Sequence, residues 1–245
     1  MKYQREQLSK PPLIEAMFEV RAVCQMSATL IPGAIYGKLK NRFPKQDGNP
    51  GVLFASPGTP QIGAMHRFLA DNERRVIQCA PELFTVNVLG DYGAFPEFEA
   101  LIDEALQAFY AEATPTKLKR LAIRYINFLP TDSIAAAGGS PLRIHTSFPE
   151  DVLPSADGLA CRGIFKVPEA NGVLGLAVAN PHRFPDGRTG CLLDFDFFIE
   201  NPTFLAIEDC LPWARRAHDV IYQAFRSSLT PAMYQQLGPI PAEKN

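Results

Sequence analysis

Two aspartates in an apolar segment are the residues whose types and spacing point most directly to chemistry. Asp194 and Asp196 alternate with apolar residues in the sequence LLDFDFF at positions 192–198. Successive side chains of a β-strand point to opposite faces, so both carboxylates fall on one face and the apolar residues on the other. Two carboxylates at this spacing could bind Mg²⁺ or act as a general acid–base pair.

The same alternation is typical of an antiparallel strand with one solvated face, which is a purely structural role. The corresponding strand of the first half of the chain carries Thr85 and Asn87 in the same alternating positions. A structural role alone can therefore explain the polar residues on this strand face. The additional information in the second half is that both polar residues, Asp194 and Asp196, are charged.

Arg124 is the second candidate, because it shares a face of the predicted strand 118–129 with apolar side chains. A buried charge without a partner is costly, so an arginine in this setting is expected to have one. Asp194, Asp196 or Glu19 could supply the carboxylate if the strands meet. The alternative is anion recognition, in which these four side chains form a polar groove for a phosphate, a carboxylate or a peptide.

The histidines offer one weak catalytic candidate. His182 lies beside two arginines in the polar segment 180–188, and such loops often carry function. His218 instead falls on the apolar stripe of a predicted helix, where it indicates a core histidine. The four histidines show no metal-binding spacing, and no nucleophile elbow, Walker A or dinucleotide motif occurs. We therefore expect no metal centre and no cofactor.

Composition narrows the class of protein further. The chain has 245 residues, 20% of them charged, with a net charge of -2, which gives no electrostatic case for nucleic-acid binding. No apolar run approaches the roughly 20 residues that span a bilayer. The polar start at residues 1–10 predicts no secretory signal. The five cysteines are widely spaced and include no C-x-x-C, which favours a reduced, cytoplasmic protein with buried thiols.

An internal repeat predicts the fold. Residues 96–110 align without a gap to residues 212–226, with Pro, Asp, Gln, Ala and Phe at matching positions. Each half, 1–115 and 116–245, reads as strand, helix or loop, a run of strands and a closing helix. Strand runs without interleaved helices predict an α+β class, with a curved antiparallel sheet and the long helices packed on one face. The order resembles the saddle of the TATA-box-binding-protein type in topology only.

Individual elements follow from periodicity. Alternating residues predict a strand at 13–23, and apolar residues four apart predict a helix at 32–43. The Gly-, Pro- and Asn-rich segment 46–60 predicts a loop around a short strand at 52–55. The closing helix is predicted to start at Pro212 and to run to about residue 229.

Three short motifs carry a family resemblance. They are PLIEAMFEVR at 12–21, VIQ at 76–78 followed by Asn87, Tyr92 and Phe95, and LAIRYIN at 121–127. Together they resemble an uncharacterised, sporadically distributed bacterial family of about 250 residues. The resemblance implies a bacterial cytoplasmic protein encoded on mobile gene cassettes, with a role in phage defence or as an antitoxin-like partner. It brings no activity and no catalytic residues.

Three hypotheses remain from the sequence. The first is a non-catalytic binding protein for a protein or peptide partner, without membrane or nucleic acid. The alternative is a metal-assisted hydrolase or transferase that uses Asp194 and Asp196, with Arg124 holding an anion. A small-ligand carrier would need an apolar cavity, which the sequence cannot distinguish from a packed core. A homo-oligomer also stays open.

Overall fold

A computed structural model shows that the chain has an α+β fold. The model describes residues 2–55, 59–139, 141–144 and 158–240, and it describes their side chains except in the range 49–64. The strands are β1 (Gln7–Leu8), β2 (Leu13–Cys24), β3 (Lys45–Ala55), β4 (Thr59–Ala70), β5 (Arg75–Ala80), β6 (Leu83–Leu89), β7 (Pro115–Pro130), β8 (Leu159–Val167), β9 (Gly172–Arg183), β10 (Thr189–Glu200) and β11 (Pro239–Ile240). The helices are α1 (Ile31–Leu39), α2 (Phe95–Ala113), α3 (Thr131–Ala136), α4 (Ile207–Ser228) and α5 (Pro231–Gln236).

Nine strands form one antiparallel sheet in the order β3-β4-β5-β6-β2-β7-β10-β9-β8. The predicted order of elements is confirmed in both halves. The first runs β2, α1, four strands and α2, and the second runs β7, α3, three strands and α4. Short hairpin connections link β4 to β5 and β5 to β6, as runs of strands without interleaved helices require.

Three predicted elements differ from the structure, and one of them is the helix predicted at 32–43, which ends at Leu39. Residues 46–60 were expected to be mostly loop, but β3 is a long strand that pairs with β4 along its whole length. It is an edge strand, and edges tolerate the Gly and Pro residues that argued for a loop. The closing helix α4 begins at Ile207, so that Pro212 lies inside it. Glu208 and Asp209 occupy its first turn, where carboxylates favour a helix N-terminus.

The chain divides into two compact units. The first unit comprises residues 1–14, 124–197 and 216–245, and the second comprises residues 15–123 and 198–215. Neither unit is continuous in sequence. The division into 1–115 and 116–245 follows the internal repeat instead, and as a division into domains it stays a prediction.

The core of the second unit lies between its strands and α2. Phe84 of β6 stacks on Phe109 of α2 with ring centroids 4.7 Å apart. On the neighbouring strand β2 the alternate residues Ala16, Phe18 and Val20 are fully buried. This contact identifies the face of the sheet against which α2 packs. The residues that alternate with these, such as Thr85 and Glu19, therefore point to the other face of the sheet.

The first unit is built in the same way. Phe195 of β10 meets Phe225 of α4 edge to face at 6.2 Å, and Leu193 and Phe197 are fully buried on the same strand face. The predicted alternation of β10 is thus realised, with Asp194 and Asp196 on the face opposite the one that meets α4.

A search of the helices within the described residues finds no segment with the length and apolar character needed to cross a bilayer.

Candidate functional site: charged side chains on the sheet

Arg124 and Asp194 form a two-point ion pair in the first unit. The Arg124 Nε donates to Asp194 Oδ1 at 2.8 Å, and its Nη2 donates to Oδ2 at 2.6 Å. Both side chains are partly buried. Of the three carboxylates considered for Arg124, the structure supplies Asp194. Because both carboxylate oxygens accept from one guanidinium, the arrangement is that of a fixed ion pair and not of an open pair of metal ligands.

Asp196 shares the strand face of Asp194 but lies next to different residues. A Cβ atom placed on Gly175 of β9 would lie 3.8 Å from the Asp196 Cβ and 3.7 Å from Arg162 Nη2. Gly175 therefore leaves space into which the Arg162 guanidinium extends toward Asp196. The two aspartates are thus neighbours of two different arginines, Arg124 and Arg162.

Metal binding by Asp194 has little geometric support. Within the described part of the chain, no group of three or more His, Cys, Asp or Glu side chains could hold a metal ion. We expect Mg²⁺ and Mn²⁺ at millimolar concentration to leave the melting temperature unchanged, because a ligand stabilises only what it binds. We expect Asp194→Asn to lower the free energy of unfolding by about 1–2 kcal/mol, because the loss for a half-buried ion pair lies between those for exposed and buried pairs. The loss should be the same with and without the metal ion.

Differential scanning fluorimetry with a metal titration measures both effects. Glu73→Gln, which alters an exposed carboxylate paired with Lys45, is the matched control. A rise in melting temperature with Mg²⁺ that disappears in Asp194→Asn would contradict the ion-pair interpretation and support the metal-assisted alternative.

Glu19 belongs to the second unit, where it is the centre of a buried ion cluster. It is 7% exposed. Its Oε1 accepts from Arg120 Nη1 at 2.6 Å and from Arg21 Nε at 2.8 Å. The Arg120 guanidinium also lies 4.5 Å over the ring of Phe198, and its Nε is 3.3 Å from Glu200 Oε1. Burial alone would raise the pKa of Glu19, but the charges of Arg120 and Arg21 outweigh it, so the pKa is lowered and the carboxylate stays ionised.

A row of polar side chains extends from Glu19 to the edge of the sheet. The strand register aligns five residues directly across β3, β4, β5, β6 and β2, in the order Asp47, Arg67, Gln78, Thr85 and Glu19. We call these five residues the polar row. Directly paired residues share a face, so the polar row lies opposite the face that packs on α2.

Hydrogen bonds connect members of the polar row to one another. Arg67 Nη1 donates to Asp47 Oδ2 and Thr85 Oγ1 donates to Gln78 Oε1, both at 3.4 Å. Asn87, two residues along β6, donates to Thr85 Oγ1 at 2.7 Å and to the Val76 carbonyl at 3.2 Å. The row is therefore exposed at Asp47 and progressively buried toward Glu19. Sequence analysis found Thr85, Asn87 and Glu19, but not their alignment.

His218 is confirmed as a core histidine and His182 lies elsewhere. The Tyr125 hydroxyl is 3.0 Å from His218 Nδ1. Burial, helped by the charge of Arg5, lowers the pKa of His218 to about 3, so the ring is neutral. His182 packs edge to face on Phe184 at 4.6 Å, at the turn between β9 and β10. It is thus part of an aromatic cluster rather than of the Arg124–Asp194 pair.

Four thiols are poor nucleophiles, those of Cys24, Cys79, Cys191 and Cys210. All five cysteines are free. Burial raises the pKa of Cys79 and Cys24, and it raises the pKa of Cys191 to about 12. The pKa of Cys210 is raised by burial as well, although a hydrogen bond with the Tyr110 hydroxyl lowers it in part. A thiol reacts as its thiolate, so these groups are inert near neutral pH.

Comparisons with known proteins give no family. No family model matches the chain, and no curated protein matches it. Among solved structures, the chain is similar to the crystal structure of the di-domain ARO/CYC StfQ from the steffimycin biosynthetic pathway. The identity is 10%, with 91% of this chain and 96% of that chain covered and a TM-score of 0.18. A similarity of this size bears neither on fold nor on activity.

Proposed function

We propose that this chain is a non-catalytic binding protein that recognises a protein or peptide partner through the polar row. The observation that carries the proposal is the alignment of five polar side chains across five strands. The accessible end of the row presents a carboxylate, a guanidinium and an amide in sequence, from Asp47, Arg67 and Gln78. A mixture of this kind suits a peptide that offers donors, acceptors and both charges, because complementary charge patterns give specificity.

Among the described residues, the thiols and the histidine with shifted pKa values favour binding over catalysis. Catalysis needs a nucleophile or base whose pKa is matched to its task. The four thiols with shifted pKa values are moved away from reactivity, and His218 is too weak a base near neutral pH. Asp194 has both oxygens engaged by Arg124. The metal-assisted hydrolase or transferase therefore has less support than binding.

The family resemblance adds an expectation about the partner. It implies a bacterial cytoplasmic protein on a mobile cassette, so we propose that the partner is encoded in the same cassette. The resemblance also suggests defence or antitoxin-like pairing as the setting in which such a partner acts.

A peptide selection tests the proposed function. Display libraries of random peptides are selected on the purified protein, and enriched peptides are titrated by fluorescence anisotropy. We expect Arg67→Gln to weaken the selected peptides by about fivefold or more, the loss typical of an interface residue that contributes over ~1 kcal/mol.

The control removes the same charge from a helix. Arg215 is more exposed than Arg67 and pairs with Glu99 in the second unit, away from the polar row. We expect Arg215→Gln to change the affinity by less than about twofold, as for other rim charges. The proposal is wrong if no peptide is enriched, or if both variants weaken binding equally.

A further inference from the structure

The outer edge of β8 exposes apolar side chains on both faces of the strand. β8 is the last strand in the order of the sheet, and β9 is its one neighbour among the described strands. Ile164 is 65% exposed and Phe165 is 51% exposed, and both lie in this strand. Consecutive residues of a strand point to opposite faces, so each face of the edge offers one large apolar side chain. A strand edge with no neighbour among the described strands also offers main-chain N–H and C=O groups.

The register of β8 with β9 gives the two faces different chemistry. Ile164 lies opposite Gly175 and Arg162 lies opposite Ala177, so Arg162, Ile164 and Lys166 share the face that carries Asp196. The other face carries Phe165, which lies opposite the buried Leu174. One face is therefore basic with an apolar centre, and the other is apolar.

We infer that the edge of β8 binds an extended segment of the partner as an added strand, with acidic residues facing Lys166. The inference rests on the proposed function and specifies the partner's chemistry. β8 contains two basic residues and no acidic one. Opposite charges paired across strands stabilise a sheet, so a strand with acidic residues at alternate positions complements this face. Its intervening apolar residues would pack on the side of Phe165.

Charge argues against a second copy of the chain as the occupant. A two-fold axis at Ile164 would set Arg162 directly opposite Lys166 of the other copy. An axis at Gly163 would set Arg162 opposite Ile164 of the other copy. The diagonal neighbours of Arg162 would then be Arg162 and Lys166 of the other copy. Like charges destabilise paired strands, and diagonal neighbours are within reach of long side chains. Both of these central registers therefore bring four cations together on one face.

Labelled peptides of nine residues, the length of β8, test the inference. One alternates Glu and Val, the second alternates Lys and Val, and the third is the Glu peptide with alternate backbone nitrogens methylated. Fluorescence anisotropy gives each dissociation constant. We expect the Glu peptide to bind at least about tenfold more tightly than the Lys peptide, from a few favourable cross-strand charge pairs. Backbone methylation should abolish binding, because added strands are held by main-chain hydrogen bonds.

A charge reversal on the edge provides the second arm. Lys166→Glu should weaken the Glu peptide by about tenfold or more, by the same cross-strand charge pairing. Lys117→Glu, an equally exposed change in β7, should leave it within about twofold, as for exposed charges away from an interface. Equal binding of the Glu and Lys peptides would overturn the inference, as would binding that survives methylation.

Two further outcomes separate this inference from the proposed function. If peptides enriched by selection lose affinity in Arg67→Gln but bind Lys166→Glu as they bind the unaltered protein, the edge inference is wrong and the proposed function stands. If no peptide is enriched, the proposed function itself is wrong. Sedimentation of the protein alone covers the remaining occupant: a dimer that dissociates in Ile164→Lys would assign the edge to a second copy and overturn the inference.

Discussion

Glu19→Gln is expected to lower the free energy of unfolding by about 3–5 kcal/mol, the range for removing one partner of a buried ion pair. The carboxylate is 7% exposed, and the side chain of its partner Arg120 is 13% exposed. The substitution leaves the largely buried guanidinium of Arg120 with the half-exposed Glu200 as its remaining counter-charge. A neutral amide restores part of the hydrogen bonding to Arg21 and Arg120, but none of the charge.

Glu200→Gln is the matched control, because Glu200 pairs with the same guanidinium from an exposed position. Its side chain is 52% exposed. Exposed pairs contribute about 0–1 kcal/mol, so we expect a small effect. Urea unfolding followed by circular dichroism measures both variants. Equal losses in Glu19→Gln and Glu200→Gln, or a loss below about 1 kcal/mol in the first, would show that the cluster is not a buried ion pair.

The contribution of Glu19 to the free energy of unfolding also depends on pH, and it decreases in acid. Its pKa in the folded protein is lowered from the ordinary value of 4.5. The stability that the carboxylate contributes is therefore fully present above about pH 4.5 and is lost as the pH falls through the lower, folded pKa. The difference between the unaltered protein and Glu19→Gln should shrink below pH 4.5, and a difference that grows in acid would contradict the ionised state.

Alternation within single strands made part of this site predictable. The period of two residues placed Glu19 on one face of β2 and Asp194 with Asp196 on one face of β10, and the structure has these faces. The cost of an unpaired charge predicted a carboxylate partner for Arg124. Neither argument could choose Asp194 over the other carboxylates, because the choice depends on which strands are neighbours.

The polar row could not be predicted, because it is a property of register and not of any one segment. Asp47 aligns with Arg67 only because β3 and β4 pair over their full length. The Gly and Pro content of β3 argued for a loop, since local propensity contains no term for pairing with a neighbouring strand. The same limit applies to Arg162, which becomes a neighbour of Asp196 only through Gly175 of the strand between them.

Lowering the pH from 7 to 5 is expected to destabilise the protein through His218. Burial and the charge of Arg5 lower the pKa of this ring from its ordinary 6.5 to about 3 in the folded protein. Protonation is therefore easier in the unfolded chain. The stability is fully present above about pH 6.5 and falls by about 1.4 kcal/mol for each pH unit between the unfolded and folded values, which is about 2 kcal/mol at pH 5.

His218→Asn removes the titrating group and keeps an acceptor near the position of Nδ1 for the Tyr125 hydroxyl. Urea unfolding at pH 7, 6 and 5 should show that stability depends less steeply on pH in this variant. The difference in slope corresponds to about one proton, the one that His218 binds on unfolding. Because the contribution of Glu19 is lost only below pH 4.5, it does not affect the measurements between pH 7 and 5. An unchanged slope in His218→Asn would mean that His218 is not held neutral in the folded protein and that the Tyr125–His218 contact tolerates a charge.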